Sequence, residues 1–202
     1  MLDPVELARL CAEAYAVPPY LEVGDVHLIK RPHAVGWVYV FRGSADCADW
    51  ACDLEAIPWP HPDLQATVHE GFGRDVDAVW PALAADLGAV PVGLAGHSKG
   101  GADAILVGLR MALAGIAPAF IVTFGAPRVF LGGHPVCLDR VLQAHYRHGC
   151  DLVPTLPPGD WWRHPADLIA VGQPGDPIRD HFIAGYLAAL SAPAMAGIPR
   201  PA

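Results

Sequence analysis

The chain has 202 residues, 53% of them hydrophobic and 17% charged, with a formal net charge of −8. That length and polarity suit one globular domain with a sizeable core and exclude a disordered or low-complexity protein. The negative charge is spread without an acidic block and no basic patch with interleaved aromatics occurs, which argues against nucleic acid or anionic membrane as electrostatic partners.

The first twenty residues lack the basic segment, continuous apolar run and small-residue cleavage site of an export signal. They predict an amphipathic helix capped by Asp3, with Pro4 in its first turn and Leu7, Leu10, Cys11 and Ala14 on one face. The expectation is therefore a cytoplasmic protein whose five cysteines (Cys11, Cys47, Cys52, Cys137 and Cys150) are reduced. Cys47 and Cys52 are close in sequence, but no second pair completes a tetrahedral zinc site.

Residues 26–30 and 35–41 read as a hairpin with its turn at 31–34. Residues 44–66 are mixed in character, with Trp50, Leu54, Ile57 and Trp59 set among Asp and Pro. A helix is predicted over 71–88, with Val76, Val79, Leu83 and Leu87 on one side and a kink or break at Pro81. Residues 90–96 predict a strand, 101–114 a helix and 119–125 a strand. The run from Ala104 to Ala126 is apolar enough to mimic a membrane span. Arg110, Gly115 and Pro118 divide it into a buried helix and a buried strand. Further strands are expected at 141–148 and 167–172, and a final helix at 180–190. This alternation, with near-continuous apolar strands, predicts an α/β fold: a mostly parallel sheet with helices on both faces, in one domain over 1–202.

Gly96-His97-Ser98-Lys99-Gly100 fits the pattern Gly-x-Ser-x-Gly, with a strand before it and a helix after it. A side chain held at the apex of so tight a turn needs neighbours without a Cβ, hence glycine on both sides. The following helix adds unpaired N–H groups and the positive end of its dipole.

A serine hydroxyl needs a base, and the base an orienting carboxylate. His97 adjoins Ser98 on the turn and reads as a buried structural residue. His27, His33, His61, His134 and His164 lie in surface-like segments, while His145 and His148 flank a strand. His181 follows the last predicted strand and opens the last helix, where groups acting on a ligand collect in parallel sheets. An acid between Ser98 and His181 is best supplied by Asp151, just past the strand at 141–148. Asp139, Asp160, Asp167 and Asp176 are the alternatives.

Six segments then carry a resemblance: 39–54 "YVFRGSADCADWACDL", 68–72 "VHEGF", 93–106 "GLAGHSKGGADAIL", 122–129 "VTFGAPRV", 146–158 "YRHGCDLVPTLPP" and 180–190 "DHFIAGYLAAL". In this order, spanning about three-quarters of the chain, they resemble the signature blocks of the class 3 (fungal-type) lipases. The resemblance implies an α/β-hydrolase fold and a serine esterase acting on acyl esters such as glycerides or phospholipids. It places the nucleophile at Ser98, the triad acid at Asp151 and the base at His181. It also places the oxyanion hole at the backbone N–H groups of Ser44 and Lys99; from the residues alone Ser44 reads as a strand-end turn.

The family usually carries an apolar residue, most often leucine, where this chain has Lys99. A cation at the site mouth is expected to favour short, soluble or anionic esters, unless it reaches solvent or pairs with a carboxylate. Residues 45–66 fall where the family carries its lid, and a short helix there with Trp50, Leu54, Ile57 and Trp59 on its apolar side is either a mobile lid or a fixed cover. The implied partner is a small-molecule ester or lipid, with transient contact at a lipid interface and no obligate protein partner. Neither a metal nor an organic cofactor is implied. An acyltransferase or thioesterase on the same scaffold, and a non-catalytic ligand-binding module, remain alternatives.

Overall fold

A computed structural model describes residues 2–44 and 56–192. The chain opens with α1 (Pro4–Glu13), where Asp3 caps the helix by accepting from the Val5 N–H at 2.9 Å. Three strands follow: β1 (Leu21–Val23), β2 (Val26–His33) and β3 (Gly36–Phe41). Next come β4 (Pro58–His61), β5 (Ala66–His69) and α2 (Glu70–Asp86). The central unit is β6 (Val92–His97), α3 (Lys99–Leu113) and β7 (Phe120–Phe124). The remainder comprises β8 (Phe130–Leu131), β9 (Gln143–His148), β10 (Trp162–Arg163), β11 (Leu168–Val171) and α4 (Ile183–Ser191).

Seven strands form the main sheet in the order β1-β2-β3-β6-β7-β9-β11. The pairs from β3 onward are parallel, and the β1-β2-β3 end is antiparallel. Side chains alternate between the faces of β3: Val38 and Val40 join α1, Phe124 and Tyr186 in one core, while Tyr39 and Phe41 join α2 and α3 in the other. Both faces are thus covered, which is why β6 is buried at every position. Among the described residues no helix is long and apolar enough to cross a membrane. The apolar run at 104–126 resolves into most of α3 and all of β7.

Four features depart from the sequence expectations. The hairpin turn falls at 34–35 rather than 31–34, so β2 runs through Pro32, which pairs with Trp37. Since β1 pairs only with Val26–Leu28, the missing N–H of Pro32 lies beyond that ladder. Helix α2 continues unbroken through Pro81, which sits on the exposed side while Val79 and Leu83 anchor the buried one. Helix α3 begins at Lys99 rather than 101, directly after Ser98. A second sheet, in the antiparallel order β10-β8-β5-β4, was not anticipated. Its strands are two to four residues long, too short to show a period. Residues 58–60 therefore extend as a strand and do not close the short helix expected over the lid. Residues 45–55 of that segment, with Trp50, Leu54, Cys47 and Cys52, lie outside the described residues. Cys11, Cys137 and Cys150 are free thiols.

Pro81 leaves the Asp77 carbonyl without its α-helical donor. Pro81→Ala should therefore raise stability by up to ~3 kcal/mol, read as a higher urea midpoint at unchanged m-value. A lower midpoint would show that the ring contributes packing that outweighs the missing bond.

Candidate active site

The C-terminal ends of four strands in the parallel part of the sheet, β3, β6, β9 and β11, deliver the candidate residues. Ser98 directly follows β6, Asp151 lies three residues past β9, and His181 follows the loop leaving β11. Ser44 lies three residues past β3. Loops at these strand ends have no ladder to satisfy and are free to place side chains in the crevice above the sheet.

Ser98 sits at φ 56° and ψ −131°, one of two non-glycine residues with positive φ among those described. L-residues avoid this conformation, and it persists only where packing dictates it. Here the packing is specific. A Cβ on Gly96 would collide with the carbonyl oxygen of Gly100, and one on Gly100 with the carbonyl oxygen of Phe41. A Cβ on Gly43 would come within 2.8 Å of the Ser98 Cβ. Strand β3 and the first turn of α3 thus close around the serine from both sides, with Ser44 one residue beyond Gly43.

His181 Nε2 lies 2.8 Å from Ser98 Oγ, and its Nδ1 lies 3.0 and 2.9 Å from the two Asp151 carboxylate oxygens. A carboxylate can only accept, so Nδ1 carries the proton and Nε2 is left to accept from the Ser98 hydroxyl. All three residues are buried, at 0% exposure for Ser98 and Asp151 and 3% for His181. Asp151 is further satisfied by the Val153 N–H at 2.9 Å and the Tyr186 hydroxyl at 2.5 Å. Burial, and then the adjacent Asp151 charge, push the Tyr186 hydroxyl well above the ordinary phenol range, so it stays a donor. Asp139, Asp160, Asp167 and Asp176, the alternative acids, do not join this chain.

His97 is buried, as the turn geometry implied, and braces His181. Its ring stacks on His181 with centroids 4.9 Å apart, and its Nε2 donates to the His181 carbonyl at 2.7 Å. Its Nδ1 accepts from the Tyr15 hydroxyl at 2.7 Å. Burial, with repulsion from His181 second, lowers the His97 pKa to about 3, so the ring stays neutral and its tautomer fixed. Tyr15 and Tyr186 were not anticipated; nothing in their local sequence sets them apart from core aromatics. His61 also departs from expectation: it is 3% exposed, with Nε2 3.3 Å from Asp77.

The Lys99 side chain is not at the site mouth. Its ammonium lies 2.7 Å from Asp75 of α2, 3.3 Å from Asp103 one turn along α3, and 3.3 Å from the Asp25 carbonyl between β1 and β2. The residue is 8% exposed, and a buried ammonium must be paired. Burial works against its charge, but Asp103 and Asp75 outweigh it and hold its pKa above the ordinary lysine value. The expected selectivity for short or anionic esters therefore loses its basis. Two carboxylates share one cation, and Asp103 Oδ1 has no hydrogen-bond partner. Asp103 was not anticipated, because the helix predicted over 101–114 left Lys99 outside it and hid their four-residue spacing on one helix. Among the described residues no group of three or more His, Cys, Asp or Glu side chains converges as a metal site.

Comparison with known proteins gives a consistent outcome. The model of the family "Lipase (class 3)" matches residues 38–161. A lipase of Rhizomucor miehei is 34% identical over 149 residues, covering 65% of this chain and 40% of its own length. The chloroplastic phospholipase A1 PLIP1 of Arabidopsis thaliana is 26% identical over 129 residues, 58% of this chain and 20% of its own length. The chain thus spans 40% or less of these curated relatives. The solved structure of Rhizomucor miehei triacylglyceride lipase superposes with a TM-score of 0.66 at 22% identity, covering 79% of this chain and 75% of that one. The likeness shows a shared α/β-hydrolase fold.

Two stability measurements probe the buried groups. Tyr186→Phe removes one donor from a fully buried carboxylate and should cost about 1–3 kcal/mol in denaturant unfolding; no change would mean that the Asp151 oxygen is satisfied otherwise. For Asp103, burial is the main cause that raises the pKa from 3.8 to about 7. The native chain then binds more protons than the unfolded one in that window, so this group's contribution to stability falls as pH rises through it. Asp103→Asn, which leaves the Asp75–Lys99 pair intact, should raise the Tm at pH 8 but not at pH 4. Equal effects at both values would refute the assignment.

Proposed function

The chain belongs to the class 3 lipase family, and we propose that it is a serine esterase hydrolysing acyl esters of apolar acids, glycerides or phospholipids among them. The observation that carries this reading is the unbroken hydrogen-bonded chain from Asp151 through His181 to a Ser98 held in a strained turn. In the proposed mechanism His181 Nε2 takes the hydroxyl proton as Ser98 Oγ attacks the ester carbonyl. Asp151 holds the ring and stabilises the imidazolium. The carbonyl oxygen gains charge between the backbone N–H groups of Ser44 and Lys99, donors that act most strongly on the transition state. His181 then returns its proton to the departing alcohol, leaving an acyl group on Ser98. Water, deprotonated by the same imidazole, releases the acid.

The neighbourhood of the triad supports an apolar acyl group. Leu152 follows Asp151, Phe182 follows His181, and Ile178 lies between them on the β11 loop; each is at least half exposed. The Leu152 N–H reaches the Pro177 carbonyl at 3.4 Å, so the two loops adjoin. Side chains of this size are normally exposed singly, and three on the adjoining loops that carry Asp151 and His181 offer a surface for a hydrocarbon chain.

The test combines labelling with turnover. A fluorophosphonate should label the wild type and not Ser98→Ala, and Asp151→Asn should lower kcat on p-nitrophenyl butyrate roughly 10⁴-fold. Label retained in Ser98→Ala would overturn the assignment. Across p-nitrophenyl esters from acetate to palmitate, the double variant Leu152→Ser/Phe182→Ser should lose about tenfold in kcat/KM on octanoate and little on acetate. An unchanged chain-length profile would remove these side chains from the acyl site.

A further inference from the structure

Lys99 has two ends with different work. Its backbone N–H opens α3, where the first-turn donors have no intrahelical acceptor. Its side chain leaves in the direction of α2 and reaches Asp75 at 2.7 Å, with side chains only 10% and 17% exposed. The other side of this turn is held by backbone, since Gly100 lies against the Phe41 carbonyl. The same two helices share an apolar core and a second ion pair, Arg110 with Asp77, but that pair lies in the last turn of α3, far from the Ser98 turn. The groups that meet the ammonium come from three elements: Asp75 from α2, Asp103 from α3 itself and the Asp25 carbonyl from the β1–β2 turn. Asp103 is on the same helix as Lys99, so its contact cannot fix that helix relative to a neighbour. Asp75 can.

We propose that the Asp75–Lys99 ion pair is a positioning device for the oxyanion hole, fixing the first turn of α3, and with it the Lys99 N–H, against α2. The inference rests on the esterase reading above and adds Asp75 as a positioning residue that touches neither substrate nor the reacting atoms. A donor that stabilises the transition state must be placed to within a fraction of an ångström, and small misplacements there cost rate more than binding. Removing the tether should therefore show in kcat and not in KM. Asp103 serves the same cation as a neutralising partner, so the loss of Asp75 leaves a balanced Lys99–Asp103 pair and a folded protein.

The experiment measures kcat, KM and Tm for Asp75→Ala and Asp75→Asn on p-nitrophenyl butyrate, with fluorophosphonate labelling of the wild type alongside. Asp75→Ala should lose about tenfold in kcat with KM within about twofold of wild type and little change in Tm. Asp75→Asn retains an acceptor for the ammonium and should recover most of that loss. Should Asp75→Ala fail to fold, Asp75→Thr, whose hydroxyl stands one bond shorter, carries the same expectations. A wild type that labels and turns over, with Asp75→Ala equal to it in kcat, overturns the tether and leaves the esterase reading standing. So does a loss that appears equally in Asp75→Asn, or in KM as much as kcat. A wild type that neither labels nor hydrolyses overturns both.

Discussion

The backbone conformation of Ser98 is the constraint on which the rest of the site depends. A non-glycine residue at φ 56° is costly by something of the order of 1–3 kcal/mol, and the chain holds it there by close approach of backbone to backbone. Gly96, Gly100 and Gly43 let β3, β6 and α3 approach so nearly that a Cβ at any of the three would collide. The same approach holds the hydroxyl above the strand ends, against His181, and leaves the first N–H groups of α3 beside it. Strain, the placement of Ser98 and the orientation of the first-turn N–H groups are thus one geometric fact seen from three sides. The sheet supplies the rigidity: β6 is central, buried throughout and flanked by parallel neighbours on both sides.

A second requirement of the proposed mechanism is that His181 keep one orientation on the loop after β11, which the sheet alone does not ensure. His97 meets it by staying neutral. Its burial removes the charged form, so its Nε2–H is always available to the His181 carbonyl, and its Nδ1 always accepts from Tyr15. Tyr15 follows α1 at the far end of the sequence, and Tyr186 from α4 meets Asp151 on the other side. Since α1 and α4 pack on each other over the same sheet face, the core and the site share one set of contacts.

How much of this was legible follows from the range of each interaction. The serine turn is local, written in five residues between two apolar runs, and reads directly. Asp151 and His181 are distant, yet strand ends are countable, so chain order and position pick them from several competitors. Lys99 and Asp103 are four apart on one helix only because α3 starts two residues earlier than its apolar pattern suggests, so that pair was not legible. Asp75, Tyr15 and Tyr186 had no local mark, because their partners lie 24 to 82 residues away across packed elements. Pro81 and Pro32 misled for one shared reason: local propensity argues for a break, while the buried neighbours Val79 and Leu83, or the ladder with β3, override it. The small second sheet escaped because pairing between strands of two to four residues is decided by tertiary contact alone.

Lys99 shows how a departure from a family pattern should be weighed. When a position contributes its backbone N–H, the chemistry does not constrain its side chain, and what replaces leucine is answerable to packing. A lysine there is tolerable only with carboxylates within reach, and this chain supplies two, from α2 and α3. The second lysine of the chain follows the same rule: Lys30 pairs with Asp86 at 2.7 Å, with the rings of Tyr20, Trp37 and Tyr39 about 5 Å from its ammonium. Asp75 and Asp86 both belong to α2, so each lysine of the chain ties that helix to another element, Lys99 to α3 near Ser98 and Lys30 to β2 at the far end. An apolar contact can slide along a helix by a fraction of a turn at little cost, whereas a buried ion pair has one geometry that satisfies both partners. Replacing grease with charge at position 99 therefore exchanges some stability for a fixed register between α2 and the turn that carries Ser98.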